Sequence, residues 1–558
     1  VLGGFLAALL ALAAGCGGSS SGGSTAVEGG ILRVGTTGYI DSLNIFDAYN
    51  EESYNAFVMV YPQLVQYGPP GVTLEPDWAT SWTHSTNDLT WTFHVRSGGR
   101  WSDGTPLTAA DAAWTINTVI KYQTGPTATM ALAVTGITHA TAPNPTTLVI
   151  TYSRPQASPL AQLEVLFILP KHVWEHHIGV KGKGLTAYNP AASLPMVGGG
   201  PYYISQYQEK GTTVFRKNPH FYGPPSHADA VTLTYYTNPT SMVADLEAGN
   251  IDFMDQVPFS AISSLKQLKQ FAVQEAPSDI VTNITFNSNP AKPKNRELLN
   301  PTVKEALEYA TPRRQIINIV FGGYAKPWAN LISEQSQQAG WVDPKVQPLP
   351  YDPAKAEQIL DSLGYTPGSN GIREVPATSG RYAQPAHPMS YGVIVPDGLG
   401  FDADRQFLIL QSAYRRIGVQ LNEIPGGDTD QAYALETAGA YTKYDMATWS
   451  WAGYVDPNYM LGVLTRGQWY SESDTGFDNP QYDRWFAQQG RTINPKARRA
   501  LVFKMEQFLA NQRPYIQLVN EDTVTARDRK WTGFYPELNG YCKCYYTSPH
   551  ETSDTSAG

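Results

Sequence analysis

An uncharged apolar run from Val1 to Ala14 closes on Ala13-Ala14-Gly15-Cys16, and it decides in which compartment everything behind it must fold. As a helix rising ~1.5 Å per residue the run would reach about 21 Å, short of the ~30 Å hydrocarbon core of a bilayer. Short apolar segments of this kind read as export signals, in which small residues let a peptidase reach the bond before the cysteine. Cys16 would then become the mature N-terminus and the site of lipidation. The other reading is a buried helix with an incidental cysteine. No basic residue precedes the run, so the natural start of such a signal stays open.

Ala13 to Cys16 resembles the bacterial lipobox, Leu-Ala-Gly-Cys in its commonest form, with Ala13 as a conservative departure. From Gly17 to Gly30 the chain is almost entirely Gly, Ser, Thr and Ala, a flexible tether reaching about 20 Å. A diacylglyceryl cysteine supplies two chains, each contributing ~0.8 kcal/mol per buried CH₂, which makes the anchor durable. No other segment has an apolar run near twenty residues. The expectation is a protein held to the outer face of the cytoplasmic membrane, in the periplasm or at the cell surface.

The roughly 540 residues behind Cys16 exceed what one core usually serves, so two large lobes are expected. A net charge of -9 leaves no basic face for nucleic acid. The 33 Tyr and 13 Trp provide faces that stack on a ligand while offering a hydrogen bond, although aromatics also fill cores. The remaining cysteines, Cys542 and Cys544, are candidates for a disulfide in an oxidising compartment. One intervening residue strains that ring, and whether they pair stays open.

Local signals mix short strands with capped helices. Ile31 to Gly35 and the alternating Thr90 to Val95 read as strands. Thr108-Ala109-Ala110-Asp111 is a capping box opening a helix to about Lys121. Asp352-Pro353 opens another, ended by Gly364; further helices run from Asp404 to Ile417, before Gly418, and from Asn494 to Asn511.

Several stretches stand in one order over some 450 residues: Leu74 to Ala79, Trp91 to Arg96, Trp101 to Asp111, Gly199-Gly200-Pro201-Tyr202, Leu246 to Asp252, and Tyr351 to Ala356. In that order they resemble the extracytoplasmic solute-binding proteins of peptide-type ABC importers, family 5, which include dipeptide, oligopeptide and nickel binders. The resemblance implies an α/β, two-lobed periplasmic-binding-protein-like (type II) fold with two crossover segments. The crossings are placed near Asp279 to Asn287 and Pro514 to Asn520. The expected parts are lobe I at 31–282, with an inserted subdomain near 50–195, lobe II at 283–516, and a C-terminal return to lobe I at 517–558. It also implies a monomer, without cofactor or metal, that captures a small molecule or peptide and presents it to an ABC permease with separate ATPase subunits. A sensor that keeps the cleft and has lost its transporter would share all of these features.

Three enzyme-like patterns occur in the sequence. His172-Val173-Trp174-Glu175-His176 matches H-x-x-E-H, but zinc needs a third ligand and an open position. Ser263-Ser264-Leu265-Lys266 matches S-x-x-K without the accompanying S-D-N and K-T-G elements. Gly18-Ser19-Ser20-Ser21-Gly22 matches G-x-S-x-G only inside the tether. A secreted hydrolase is the alternative class, and no catalytic constellation assembles for it.

For the site, the resemblance implies an aspartate that grips a peptide ammonium, within a Trp-x-Gly-Asp-x-x-Asp-Pro segment. Here it reads Trp451-Ala452-Gly453-Tyr454-Val455-Asp456-Pro457, so the acid is replaced by Tyr454, or by Gly453 if the gap moves. The matching arginine of dipeptide binders falls on Asp397, a charge reversal that would repel a peptide carboxylate unless the side chain faces water. Tyr391, Trp449, Trp451 and Tyr454 are the expected stacking faces, with Ser42, Asn44 and Asn283 opening onto the cleft. Loss of both ionic grips makes a dipeptide unsuitable. It leaves an oligopeptide by resemblance, or an oligosaccharide or other non-peptide solute by pocket chemistry.

Overall fold

The computed structural model describes residues 29–48, 50–68, 73–397, 402–427, 431–432, 434–436, 441–470 and 472–532, with the short strand Ser553–Asp554. Cys16, most of the tether, Cys542 and Cys544 lie outside the described residues. No helix among the described residues is long and apolar enough to cross a membrane.

The helices begin where short polar side chains satisfy free backbone donors. Asp352 Oδ1 accepts the Lys355 amide at 2.9 Å ahead of Pro353–Ser362, Asp402 accepts that of Arg405 at 2.9 Å ahead of Ala403–Arg416, and Asn494 accepts that of Ala497 at 3.0 Å ahead of Pro495–Gln512. Gly364 and Gly418 follow the first two at φ +80°, a conformation that costs glycine little.

The architecture is the two-lobed α/β arrangement that the resemblance implies. One eleven-stranded sheet runs through both lobes. Its lobe I part is ordered Tyr202–Gln206, Thr212–Lys217, Ala230–Tyr235, Ile31–Thr36, Phe253–Met254. Then come the two crossing strands, Tyr515–Asp528 and Phe271–Phe286, and beyond them Met446–Ala452, Ser390–Pro396 and Gln420–Gly427 in lobe II. The crossing strands pair antiparallel twice, Phe271 to Pro277 against Asp528 to Asp522 and Val281 to Thr285 against Asn520 to Tyr515, with a register break between Pro277 and Val281.

That break frees backbone groups, and side chains take them up. Asn520 donates Nδ2 to the Ser278 carbonyl at 2.9 Å and accepts the Glu334 amide at 2.8 Å, while Ser278 Oγ accepts the Ile280 amide at 3.0 Å. The inserted four-stranded sheet, in the order Ala79–His84, Thr90–Val95, Thr147–Tyr152, Ile137–Asn144, has no core of its own. Phe93 and Ile150 join Leu32, Trp78, Trp174 and Trp531 in one lobe I cluster.

Lobe II buries both faces of its sheet. Ile284, Phe286 and Leu518 pack with Leu307, Phe407 and Tyr414 on one side, whereas Ala447 and Trp449 meet Tyr441 and Tyr444 on the other. A buried ion pair ties the loop after the crossing to this sheet. Asp445 accepts Lys292 Nζ and Asn295 Nδ2, each at 2.8 Å, and the Gly392 amide at 3.0 Å. Lys292→Met would leave this carboxylate buried without its cation and is expected to cost about 3–5 kcal/mol. Chemical denaturation would register the loss as a lower midpoint, and an unchanged midpoint would count against the pair as a structural tie.

Candidate functional site

The candidate site on lobe II grows from the strand Met446–Ala452, in which Trp449 pairs with Asn283 and Trp451 with Val281 of the crossing strand. Paired residues share a sheet face, so Trp449, Trp451, Asn283 and Thr285 project to the same side. The rings continue as an edge-to-face ladder: Trp449 and Trp451 at 6.5 Å, Trp451 and Tyr459 at 6.4 Å, Tyr459 and Tyr454 at 5.1 Å. Gly453 ends the strand with its amide on the Asp279 carbonyl at 3.0 Å, which fixes this wall to the crossing.

Tyr454 keeps 45 % of its surface open to solvent, yet its phenol is pushed above its ordinary range by desolvation and by Glu164, Tyr54, Asp279 and Glu51. Glu164, Tyr54 and Glu51 belong to lobe I and Asp279 to the crossing, so Tyr454 stands where the lobes face each other. From the other side, Tyr67 of lobe I is raised by desolvation and by Glu164 and Asp456, with Arg498 opposing. The lobes touch directly at the Ala157 amide, which donates to the Gly490 carbonyl at 3.1 Å.

Several expected residues lie elsewhere. Asn44 is buried; it donates Nδ2 to the Leu185 and Tyr188 carbonyls, each at 2.7 Å, and accepts the Phe46 amide at 2.9 Å. Both of its donor hydrogens go to holding the 185–188 loop and its oxygen closes a local turn, so it is a buried staple and not a cleft residue. Ser42 accepts the Asn44 amide at 3.0 Å in the same turn. Tyr391 is fully buried in the lobe II core and offers no stacking face, because its strand is covered on that side by helices. Asn283 is likewise fully buried, between Trp449 and Gln517, and does not open onto solvent. Asp397 is exposed, its amide donating to the Gly427 carbonyl at 2.6 Å, as its water-facing alternative supposed. Asp456 is bound by both terminal nitrogens of Arg498, at 2.6 and 2.7 Å.

The enzyme-like motifs are also occupied. His172 Nε2 meets Asp103 at 2.8 Å, Glu175 lies 3.8 Å from Lys171, and Lys266 pairs with Glu275 while Ser263 is exposed. Among the described residues no group of three or more His, Cys, Asp or Glu side chains could hold a metal ion.

The family model for bacterial extracellular solute-binding proteins, family 5 Middle, matches residues 73–472. The chain belongs to family 5 of the bacterial extracellular solute-binding proteins. Among its relatives, a putative ABC transporter peptide-binding protein of Brucella ovis is 28 % identical over 339 residues, covering 61 % of this chain and 60 % of that protein. The glutathione-binding protein GsiB of Escherichia coli is 25 % identical over 475 residues, 82 % of each chain. Among solved structures, the periplasmic binding protein DppA of Helicobacter pylori, in complex with the peptide STSA, superposes with a TM-score of 0.76 at 19 % identity, over 95 % of this chain and 99 % of that one. These relatives are binding proteins, not enzymes.

In this family 5 protein, then, negative charge near Tyr454 comes from Glu164, Asp279 and Glu51, which no local motif marks; Glu51 reads in sequence as an ordinary first-turn acid of the helix Glu51–Val60. A further carboxylate sits on the crossing itself. Glu521 accepts Thr282 Oγ1 at 2.5 Å, and burial, with Asp279 adding to it, lifts its pKa to about 7. Because the folded state holds this proton more tightly than the unfolded chain, the associated stability is complete below about pH 4.5 and is lost as pH rises through about 7. Glu521→Gln should therefore be more stable than the parent at pH 8 and equal to it near pH 4. Melting curves at the two pH values check this, and an equal difference at both would refute it.

Proposed function

We propose that this chain is the substrate-binding lipoprotein of an ABC importer, anchored through Cys16, which captures an oligopeptide between its lobes and presents the closed form to a permease driven by separate ATPase subunits. The observation that carries this is Tyr454, solvent-accessible and yet under the influence of carboxylates from lobe I and from the crossing. A cleft crossed by only two strands closes when a guest touches both walls, and the ligand favours closure only by its differential affinity for that state. No covalent step is required of any residue. The peptide-binding relatives and the missing end-charge grips together favour main-chain recognition of an oligopeptide over a dipeptide.

The ladder from Trp451 through Tyr459 to Tyr454 favours a second reading in the same role, an oligosaccharide or other neutral solute stacked on its rings. Calorimetric titration with mixed oligopeptides and with oligosaccharides separates the two, heat from sugars alone refuting the peptide. In the importer reading, bound ligand compacts the particle in solution scattering. Trp451→Ala is expected to weaken the ligand about tenfold or more by removing a central stacking face; unchanged affinity would place the ligand elsewhere.

A further inference from the structure

The loop that leaves the crossing strand in lobe II borders a cavity that the capture mechanism above does not use. Trp328 donates its amide to the Leu518 carbonyl at 3.2 Å and its indole nitrogen to the Ile332 carbonyl at 2.9 Å, so the chain from 328 to 332 is a braced turn. Between this turn, the segment 345–349, the last turns of Pro495–Gln512 and the first residues of Tyr515–Asp528 lies a space of about 320 Å³. Its lining residues all fall between Glu308 and Gln517, with none from lobe I, so it is separate from the space between the lobes. Lys345, Gln347 and Asn511 are exposed and mark its mouth on the protein surface. Asn330, Glu506 and Gln517, only 5 %, 3 % and 6 % exposed, mark its inner side.

Each of these three inner residues carries an enclosed oxygen with no hydrogen-bond partner among the described residues: Asn330 Oδ1, Glu506 Oε1 and Gln517 Oε1. Their surroundings are otherwise well bonded. The second Glu506 oxygen accepts the Asp343 amide at 2.8 Å, and the Gln517 carbonyl accepts Arg313 Nε at 2.9 Å. Nearby, Asp474 is met by Tyr515 Oη, by Thr285 Oγ1 at 3.1 Å and by Trp451 Nε1 at 3.3 Å. Three open acceptors on residues around one cavity are costly unless something donates to them.

The kind of donor follows from the charges. Glu308, which also lines the cavity, accepts Arg313 Nη2 at 2.9 Å and Arg513 Nε at 2.7 Å, so the charge at that end is matched. Burial, against the Asp343 amide, holds Glu506 well above its usual range, and in its neutral form it can donate as well as accept. An amide turned over puts its NH₂ where its oxygen stood, which gives Asn330 and Gln517 the same choice. No unmatched charge inside calls for an ion, and groups that can both donate and accept are met best by hydroxyls. Leu331, Leu461 and Ile516 supply apolar surface for the carbons that carry them. The volume stands at the low end of the roughly 300–1,000 Å³ of small-molecule sites, which suits one sugar-sized molecule.

We propose that this cavity is a second ligand site, for a neutral polyhydroxyl compound of monosaccharide size whose hydroxyls bond to Asn330, Glu506 and Gln517. It is independent of what the cleft between the lobes takes.

The full-length chain is titrated calorimetrically with myo-inositol, sorbitol and glucose, and with cyclohexanol as a ring of similar size bearing a single hydroxyl. At least one of the three polyols is expected to bind, and cyclohexanol at least about tenfold more weakly, because two or more hydrogen bonds are lost. Asn330→Leu and Gln517→Leu keep the bulk and remove the polar ends, and each should weaken the polyol about fivefold or more. Trp451→Ala, which strips a stacking face from the cleft, separates the two sites: polyol affinity should remain that of the parent. If no polyol binds, the cavity holds water alone and the proposal falls. It falls too if cyclohexanol binds as well as the polyols, if the polyol keeps its full affinity in both leucine variants, or if Trp451→Ala abolishes polyol binding, which would place that polyol in the cleft. The comparison with cyclohexanol uses the parent chain alone, so it decides the question even where a variant fails to fold.

Discussion

The pairing of Phe271–Phe286 with Tyr515–Asp528 is the constraint on which the rest of the molecule depends. Two antiparallel strands belong to both lobes, and the ladder between them is interrupted from Ser278 to Ile280, with a second register shift between Thr282 and Asn283. A continuous ladder through that point would couple the lobes as one stiff sheet. The interruption leaves a bend whose backbone groups are satisfied by Asn520, Ser278 and the Gly453 amide, so that it persists as a defined structure outside the ladder between the two crossing strands. The burial along Phe271–Phe286 changes at the same place: partly open before the break, fully buried from Val281 onward. Lobe II therefore holds its half of the strand on both faces, and the strand's freedom is concentrated at the crossing.

That geometry also gathers carboxylates around the loop that follows Met446–Ala452. A carboxylate on the loop after Met446–Ala452 would act from one wall only. Here the loop contributes the Tyr454 phenol, and the acids that influence it stand on lobe I and at the crossing. In the proposed importer their combined field on a guest would strengthen as the lobes approach, because a closing cleft expels water and lowers the screening between charges.

The helices and many strands were legible because their signals are local. An Asp, Asn or Thr cap, a proline at the first turn and a glycine beyond the last need no knowledge of the rest of the chain, and Ala109–Tyr122, Pro353–Ser362, Ala403–Arg416 and Pro495–Gln512 follow them closely. The surroundings of the candidate site residues were legible only in part. Trp449, Trp451 and Tyr454 stand together because they are near neighbours on one strand and its loop, so a motif could find them. Asn44 and Tyr391 were misread because burial depends on what packs from far away in sequence, the 185–188 loop in one case and the helices over lobe II in the other. Glu436 and Asp474 escaped notice for the converse reason: neither belongs to a motif, and they meet through the fold.

The treatment of other buried acids in this chain gives that meeting its meaning. Asp252 is paired with Arg33 and Lys530, Asp445 with Lys292, Asp456 with Arg498, and Glu308 with both Arg313 and Arg513. The fold can thus bring a basic side chain to a buried carboxylate from distant segments, though not to every one: Asp255 is fully buried and held well above its usual range by burial and by Glu52. An apolar pair at 436 and 474 would cost less than two acids sharing a dry site, which makes their presence hard to attribute to stability. The lobe II sheet is apolar on the face that only has to hold helices, and polar and aromatic on the face that continues into the cleft. On that second face Asp474 ties Tyr515, Thr285 and Trp451 together as an acceptor, while burial, with Asp474 adding to it, holds Glu436 well above its usual range.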